Sequence, residues 1–501
     1  MAVGLSALFL LSVFATTGPG ITWDEPAYVA GGYQYVLWLR RPRIETIDQY
    51  WVVNHEHPPA AKLVYGVLAS LEAGHTLLAL LTARIGAALL FTILAGLTYA
   101  FTARYFGRPT GALAGLSLVL MPRVFGHGHL AGLDMPVSLA CLAVVAAFAR
   151  IESGRRWAVL AGALWGVALL TKLNAIFLPV LLIPWAMWVF HKKAAGPCLL
   201  FLATGAVVFF LGWPWLWPQP VERTLNYALD KAERLEPNGL HRPDRPTSVP
   251  VHYLGRTYHD RPAPWHYPLV LTLVTVPAGL LVFAGIGCRA AWKARTRVEV
   301  LVLGGGLLHL LVFVIPSVPK YDGVRLFLPA FPFIACLAGI GAAGVWRWRG
   351  RAGQGIVCAV FVLAAGMLVW THPHELAYYN GLVGWAPGAR ALGFETTYWG
   401  GTINARVMAE VNELCPEGST LAVWPPYMHM AKDELDALPW MGPGLHWDKE
   451  WRPGMPTPDF LLVFERQGYI GEGTRQLMGQ GTMLREWTYL GVPHTRLIQM
   501  R

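Results

Sequence analysis

Residues 20–28 read GITWDEPAY and place two carboxylates, Asp24 and Glu25, just after the first apolar run, residues 2–17. A long polar loop follows, so we expect the pair near the headgroup level of a membrane. Charged groups at that depth are costly unless they are paired, hydrated or used. The pair therefore indicates a catalytic centre, although Asp24 before Glu25 and Pro26 also fits an ordinary capped helix start.

The composition indicates a polytopic membrane protein. Of the 501 residues, 54% are hydrophobic and only 14% are charged, against about 25% charged residues in a typical soluble domain. The formal charge of +10 does not point to nucleic acid, because no basic run alternates with aromatic residues. Six cysteines occur without a CxxC pair, so neither a disulfide framework nor a cysteine metal site is predicted.

Eleven apolar segments approach the roughly 20 residues that a membrane-spanning helix needs. They cover residues 2–17, 77–102, 110–121, 133–149, 157–170, 175–190, 199–217, 267–288, 298–315, 324–345 and 355–370. The third and the fifth are short and need flanking loop residues to complete a span. We predict an all-α bundle of about 11 transmembrane helices.

The distribution of Lys and Arg in the short loops predicts the orientation. One set of loops holds fourteen cations and the opposite set holds four, which places the N-terminus inside and everything after residue 370 outside. The acidic pair, the loop 121–134, the turns 171–174 and 316–325 and the C-terminal region then face the same outer side. A random scatter of polar residues would not be expected to sort in this way.

Two further features complete the predicted organisation. Residues 26–39 and 58–71 of the first outer loop suit interfacial helices in the headgroup plane. From residue 372 the composition becomes soluble, with helix-like runs at 404–414 and 474–478 and strand-like runs at 419–424 and 459–464. We therefore predict a transmembrane domain, residues 1–371, and a small extracytoplasmic α/β domain, residues 372–501.

Charged residues of both signs collect at the outer membrane depth. Such a mixture suits a site where a carboxylate activates a nucleophile while cations hold an anionic leaving group. A pump would more naturally place these groups near the midplane. The set comprises Asp24, Glu25, Arg84, Arg123, Asp134, Lys172, Lys320, Asp322 and Arg325.

Five motifs in order resemble one family. They are TWDEPAY at 22–28, HPPAAKL at 57–63, LDMP at 133–136, TKLNA at 171–175 and RLFLPAFPF at 325–333. The family is the polyprenyl-phosphate-dependent C-type glycosyltransferases, which include protein O-mannosyltransferases and the lipid A aminoarabinose transferase. The resemblance covers residues 2–333. Residues 372–401, which end in TTYWGG, also resemble a segment of bacterial members, to which we assign no role.

The resemblance implies inverting sugar transfer from a polyprenyl-phosphate carrier outside the cytoplasm. Asp24 matches the catalytic acidic position and would act as general base, while Glu25 would hold the acceptor or orient Asp24. Asp134 matches the second acidic position. The cations expected at the donor phosphate are Lys172, Arg325 and Arg84. The expected donor and acceptor pocket comprises His57, Lys62, Arg123, Tyr321 and Asp322.

Ordinary structural roles stand beside several of these assignments. Lys172 could snorkel to the interface, Arg325 could anchor its helix end or pair with Asp322, and Asp134 could cap its helix. Histidine pairs of the form His-x-His occur at 55 and 57, 127 and 129, and 372 and 374. Alternate residues of an extended loop can share a divalent metal, so we keep a metal as an alternative and predict no specific metal site.

The expected partners are a polyprenyl-phosphate sugar donor, membrane lipid and an acceptor whose identity the sequence leaves open. The chain lacks an Asn-x-Ser/Thr sequon, which favours a bacterial cytoplasmic membrane. Two other classes stay open. A lipid or sugar transporter would show repeated halves and broken helices at the midplane, and a non-catalytic scaffold would leave Asp24, Lys172 and Arg325 without purpose.

Overall fold

A computed structural model describes residues 2–72, 76–233, 249–259, 262–348, 350–426, 445–448, 451–452 and 454–500. Residues 2–371 are mainly helical, as the apolar runs predict. The helices are α1 Ala2–Ala15, α2 Glu25–Arg40, α3 Ile47–Tyr50, α4 Ala60–Ala69, α5 Thr76–Phe106, α6 Arg108–Val119, α7 Pro122–Gly128, α8 Asp134–Phe148, α9 Arg155–Leu169, α10 Leu178–Phe190, α11 Ala195–Leu211, α12 Pro220–Glu233, α13 Tyr267–Thr275, α14 Ala278–Ala294, α15 Arg297–Leu311, α16 Phe331–Trp348 and α17 Arg351–Thr371. A short hairpin, β1 Val251–Tyr253 and β2 Arg256–Tyr258, interrupts them.

Within the described ranges, five helices are long and apolar enough to cross a membrane, or six if one bent pair counts as a span. Each of the eleven predicted segments overlaps a helix. Several of these helices are shorter than a span, so the number of eleven stays a prediction. The N-in, C-out orientation stays a prediction as well.

The predicted single span at 267–288 is wrong in shape, because the chain bends by 119° between α13 and α14. Val276 between them is extended, as expected for a residue before a proline. The side-chain amide of Asn380 donates to the carbonyl oxygens of Leu273 and Val276, both at 2.7 Å. Asn380, in the segment that follows the bundle, therefore hydrogen-bonds the carbonyl oxygens that the bend frees.

The centre of the bundle is the helical run Arg325–Trp348, which contains α16 and has 94% of its apolar window buried. In contrast, only 17% of the corresponding window of α17 is buried. Arg325 lies at the start of this central run, in a 3₁₀ turn that precedes α16. The guanidinium is thus carried by the most enclosed helical run and lies at its N-terminal end.

Helices α2 and α4, where interfacial helices were predicted, pack against each other at two glycines. A Cβ atom at Gly32 would lie 1.9 Å from the carbonyl oxygen of Lys62, and one at Gly66 would lie 2.1 Å from the backbone of Gly32. Only glycine permits this approach. The contact fixes α2, which begins beside Asp24, against the helix that carries Lys62.

The C-terminal region forms a mixed sheet with helices, where a small α/β domain was predicted. Its strands are β3 Thr420–Trp424, β4 His446–Asp448, β5 Phe460–Phe464, β6 Thr482–Tyr489 and β7 Val492–Gln499, and its helices are α18 Trp385–Ala391, α19 Ala405–Leu414 and α20 Glu472–Gln480. The sheet order is β4-β3-β5-β7-β6, with β3 parallel to β4 and β5 and antiparallel pairs from β5 to β6.

The β6–β7 hairpin was not predicted. Its turn residues Leu490 and Gly491 both have positive φ, 51° and 75°, as a type I′ turn requires. Leucine is an unusual residue for that conformation, so the sequence lacks the Asn-Gly or Asp-Gly signal that would have announced the turn.

Residues 372–403 connect the bundle to the sheet and contact both. Asn380 contacts the bend between α13 and α14, while the hydroxyl of Thr397 donates to the carbonyl oxygen of Glu465 just after β5. The domain division at 371 and 372 therefore stays a prediction, since this connecting segment is hydrogen-bonded both to the helices and to the loop after β5.

Candidate active site

The loop before α2 is held by the connecting segment. The N–H of Gly20 donates to the oxygen of Gly401 at 2.8 Å, and the N–H of Trp23 donates to the oxygen of Trp399 at 3.0 Å. Thr22 and Gly400 form an isolated antiparallel bridge. Residues far apart in the chain therefore fix the backbone immediately before Asp24.

Asp24 precedes α2 but its side chain does not cap that helix. Its Oδ2 accepts a 2.7 Å hydrogen bond from Nε1 of Trp399 and a 3.4 Å hydrogen bond from the hydroxyl of Tyr28. The same oxygen is paired with Nη2 of Arg325. Asp24 thus occupies the position of a helix cap, but its carboxylate contacts Trp399, Tyr28 and Arg325 instead of capping α2.

Arg325 joins three carboxylates at once. Its Nε donates to Oδ2 of Asp134 at 2.7 Å, its Nη1 donates to Oδ2 of Asp322 at 2.8 Å, and its Nη2 pairs with Asp24. The guanidinium also lies 4.3 Å from the ring centroid of Trp399. A planar guanidinium with a fixed fork of donors suits this arrangement, which a lysine could not reproduce.

Asp134 lies in the first turn of α8 and is shared by two cations. Its Oδ1 accepts from Nζ of Lys172, and its Oδ2 accepts from Arg325. Lys172 lies in the extended link after α9 and is buried. Its ammonium is therefore engaged inside the protein, which argues against simple snorkelling.

We call the resulting group the Arg325 cluster. It contains three acids and three cations: Asp24, Asp134, Asp322, Lys172, Arg325 and Arg466. Arg466 lies two residues after β5, and its Nη2 donates to Oδ1 of Asp322 at 2.5 Å. Arg466 also lies 3.5 Å from the carboxylate of Glu395. Each ion of the cluster therefore has a partner of opposite charge, as its burial requires.

Access to the cluster is uneven. The side chain of Asp24 is 21% exposed, whereas those of Asp134 and Asp322 are 2% and 5% exposed. Lys172 is the more exposed of the two central cations, at 10% against 6% for Arg325. A substrate can therefore reach Asp24 first, with Lys172 and Arg325 behind it.

Glu25, the neighbour of Asp24, lies in a separate pair with Arg84. Oε1 accepts from Nε of Arg84 at 2.8 Å, and Oε2 accepts from Nη2 at 2.7 Å. The N–H groups of Ala131 and Thr22 donate to the same two oxygens. Burial acts to raise the pKa of Glu25, but the charge and hydrogen bonds of Arg84 outweigh it, so the pKa lies below its usual value.

The remaining donors of Arg84 go to backbone oxygens. Nη1 donates to Thr16 and Pro19, and Nη2 donates to Gly20 at 2.6 Å. These contacts tie the end of α1 and the following loop to α5. They favour a structural role for Arg84 over the predicted contact with a phosphate, and for Glu25 they favour orienting the Asp24 loop over holding an acceptor.

Lys62 is buried and donates hydrogen bonds to several residues of the first outer loop. Its Nζ donates to the carbonyl oxygens of Asn54 and His57, both at 2.6 Å, and to the hydroxyl of Tyr35 at 3.1 Å. Burial lowers the pKa of Lys62 to about 7. His57 meets Tyr28 edge to face at 5.7 Å, so this loop touches the Arg325 cluster through Tyr28.

Arg123 and Tyr321 lie beside the cluster. Nε of Arg123 donates to the oxygen of Tyr378 at 3.0 Å, and its guanidinium lies 4.5 and 5.1 Å from the rings of Tyr379 and Tyr398. Tyr321 interacts electrostatically with Arg325, and burial raises the pKa of Tyr321 to about 12. Both could border a substrate without belonging to the ion network.

The structure brings together Asp24, Asp134, Lys172, Asp322 and Arg325, five of the eleven predicted site residues, in direct contact. Their chemical roles stay predictions. Sequence reasoning missed Trp399 and Arg466. The TTYWGG stretch that contains Trp399 stood out as a family-like segment, whereas nothing around Arg466 distinguished it from other residues of the soluble region.

The histidine pairs do not form a metal centre in the part of the chain that the structure describes, where no group of three or more ligand side chains could hold a metal ion. His372 is instead paired with Glu375 at 2.6 Å, and this hydrogen bond raises the pKa of His372.

Comparisons with known proteins agree with this architecture. Residues 56–217 match the model of the family described as dolichyl-phosphate-mannose-protein mannosyltransferase. A search of curated protein sequences finds no match. Among solved structures, ArnT from Cupriavidus metallidurans in the apo state matches with a TM-score of 0.54 and 18% identity, over 100% of this chain and 98% of that one.

Two further structures are similar. ArnT from the same organism bound to undecaprenyl phosphate has a TM-score of 0.54 and 17% identity, over 100% of this chain and 98% of that one. The archaeal oligosaccharyltransferase AglB from Archaeoglobus fulgidus, in complex with an inhibitory peptide and a dolichol-phosphate, has a TM-score of 0.51 and 10% identity, over 98% of this chain and 74% of that one. The predicted resemblance to the polyprenyl-phosphate-dependent C-type glycosyltransferases is therefore confirmed, in sequence over residues 56–217 and in fold over the length of the chain.

Proposed function

We propose that this protein is an inverting glycosyltransferase, which moves a sugar from a polyprenyl-phosphate carrier to an acceptor hydroxyl. We place the reaction on the outer side of a bacterial cytoplasmic membrane. The observation that carries the proposal is the contact of the accessible carboxylate of Asp24 with the guanidinium of Arg325, which shares Asp134 with Lys172. A base and two cations for a leaving phosphate thus lie within one network.

In this mechanism Asp24 is the general base. It takes the proton of the acceptor hydroxyl while that oxygen forms a bond to C1 of the sugar. The bond between C1 and the phosphate oxygen breaks on the opposite face, and the carrier phosphate leaves with the electron pair. A single displacement of this kind inverts the configuration at C1.

Arg325 and Lys172 would stabilise the departing phosphate. Asp134 holds both cations in place before substrate arrives, so little reorganisation is needed during the reaction. Removal of one such donor from a transition state costs about 2.7–4 kcal/mol in a well-studied enzyme. The phosphate would approach on the side of Lys172, the more exposed of the two cations.

The other predicted residues have supporting roles in this proposal. Glu25 and Arg84 fix the Asp24 loop, and Lys62 fixes the loop around His57. Arg123 and Tyr321 border the acceptor side. The carrier lipid would run beside α2 and α4, the pair of helices expected in the headgroup plane. The printed descriptions of the similar structures name undecaprenyl phosphate and dolichol-phosphate, which supports a polyprenyl-phosphate donor.

The transporter alternative receives no specific support. Its expected sign is a broken helix whose freed carbonyls bind a substrate. The bend between α13 and α14 is such a break, but Asn380 donates to the carbonyls of Leu273 and Val276 there. The charged groups also gather at one end of the central helical run, where α16 begins.

The proposal is tested with the purified full-length protein in lipid vesicles. Undecaprenyl phosphate carrying mannose, glucose, galactose or 4-amino-4-deoxyarabinose is supplied with a membrane extract as acceptor, and release of undecaprenyl phosphate is measured. We expect release from at least one donor. Absence of release from all four donors, or equal release by Asp24→Asn, would contradict it. Mass spectrometry of glycolipids and glycoproteins from cells with and without the gene then identifies the acceptor.

A further inference from the structure

The segment Tyr398–Trp399–Gly400–Gly401 has an unusual backbone. Three successive residues have positive φ: 63° at Trp399, 84° at Gly400 and 88° at Gly401. Glycine adopts this conformation readily, but a tryptophan does so rarely. Strained residues of this kind persist where the surrounding structure holds them and are frequent at functional sites.

The strain is maintained by backbone pairing with the loop before Asp24. The oxygen of Trp399 accepts from the N–H of Trp23, and the N–H of Gly401 donates to Ile21 at 3.1 Å. The helix-linking loop on the other side is shaped around the ring, because a Cβ atom at Gly132 would lie 2.7 Å from Cη2 of Trp399. The indole therefore has one well-defined position.

In that position the indole contacts both Asp24 and Arg325. Its Nε1 donates to Oδ2 of Asp24 at 2.7 Å, and its ring lies 4.3 Å from the guanidinium of Arg325. The N–H bond favours the ionised carboxylate that a base requires. The ring face provides a cation–π contact that does not compete with a phosphate for the guanidinium donors.

We propose that Trp399 is a positioning residue for sugar transfer, which keeps Asp24 ionised and aimed while holding the plane of Arg325. This inference rests on the proposed function. It gives the region after residue 371 a direct part in the active site, since the connecting segment supplies the side chain of Trp399. The same segment would then make the C-terminal region necessary for full activity.

The test removes the indole N–H in two ways, and only the second keeps the bicyclic ring. Trp399→Phe keeps an aromatic ring, and site-specific incorporation of benzothienylalanine at 399 keeps the bicyclic shape with sulfur in place of N–H. The matched control is Trp23→Phe, together with the same analogue at 23. Trp23 is also buried and adjacent to Asp24, but its Nε1 has no hydrogen-bond partner among the described residues.

We expect both changes at 399 to lower kcat about tenfold, in line with the loss of a hydrogen bond to a charged group. The acid limb of the pH–rate profile should move to higher pH, because Asp24 then protonates more readily, while the KM for the donor stays unchanged. Both controls at 23 should keep the wild-type profile. An unshifted profile with the benzothienyl analogue would overturn the inference, even if Trp399→Phe folds poorly.

A second readout does not depend on turnover. Infrared spectra of the full chain are recorded during acidification, and the carboxylic acid band of Asp24 is assigned by its absence in Asp24→Asn. With the analogue at 399, this band should appear at a higher pH than in the wild type. If no donor is turned over, the proposed function fails, while the infrared result still decides whether Trp399 controls the protonation of Asp24.

Discussion

Asp24 and Glu25 are adjacent in the chain, yet their side chains enter two ion clusters of different character. Glu25 is completely buried and accepts from one arginine and two backbone N–H groups. Asp24 is 21% exposed and belongs to a network of three acids and three cations. The first arrangement is closed to any substrate, whereas the second is open at Asp24.

Under the proposed function, the difference in burial, and not the residue type, separates the structural carboxylate of Glu25 from the reactive carboxylate of Asp24. Loss of one partner from a buried pair leaves an uncompensated charge and costs about 3–5 kcal/mol. A general base instead contributes about 10²–10⁴-fold to the rate. Changes at the two neighbouring positions should therefore affect different measurements.

The largest effect is expected for Asp24→Asn. The amide cannot accept the proton of the acceptor, so turnover should fall about 10³-fold or more. The thermal unfolding midpoint should change little, because Asp24 is the most exposed of the three cluster acids. The measurement is release of undecaprenyl phosphate at saturating donor. A variant that retains more than a tenth of wild-type turnover would remove Asp24 from its assigned role.

Glu25→Ala should reverse this pattern. It leaves the guanidinium of Arg84 buried without its carboxylate, which should destabilise the fold by about 3–5 kcal/mol. Turnover per folded molecule should stay within about fivefold of the wild type, since Glu25 acts only through the loop backbone.

Chemical or thermal unfolding, combined with single-turnover assays on the monodisperse fraction, measures both quantities for Glu25→Ala. Full stability with lost turnover would instead make Glu25 a participant in the chemistry.

Lys172→Ala should act mainly on the donor. Loss of one cation at the phosphate should raise the KM for the donor about tenfold or more and should also lower kcat, because the same cation stabilises the departing phosphate. Asp134 keeps Arg325 as its partner. The matched control is Lys62→Met, which removes a buried lysine whose hydrogen bonds, among the residues that the structure describes, all go to the first outer loop. If both variants change the donor KM equally, the effect belongs to folding of the loop and not to the phosphate.

Arg466→Met should have the smallest effect of this series on turnover, although the loss of a buried cation should also lower stability. Asp322 loses its 2.5 Å partner from the C-terminal region but keeps Arg325. Asp322 would then attract Arg325 more strongly, and we expect kcat to fall about threefold at an unchanged donor KM. Steady-state kinetics over donor concentration measures both. An increase in donor KM alone would indicate that Arg466 contacts the carrier.

The sequence predicted those parts of the site that carry a local signal. Asp24, Asp134, Lys172 and Arg325 each lie in a recognisable motif at the end of an apolar segment, and the charge distribution in the loops predicted that they share a side. Helix positions followed from hydrophobic runs, because a spanning helix requires many consecutive apolar residues.

The parts that were missed depend on long-range packing. Trp399 reaches the site because the connecting segment pairs with residues 20–23. Arg466 reaches it because the loop after β5 lies against Asp322. No local pattern records such contacts. Likewise, Glu25 is held apart from the Arg325 cluster by its pairing with Arg84, which is 59 residues further along the chain.

The most direct test is a cryo-electron microscopy structure of the full chain with undecaprenyl phosphate bound. We predict density for the phosphate within hydrogen-bonding distance of Lys172 and Arg325, beside the Asp24 carboxylate, with the Glu25–Arg84 pair unchanged. A phosphate bound at Arg84, or at another position that leaves Lys172 and Arg325 paired only with Asp134, would contradict the account.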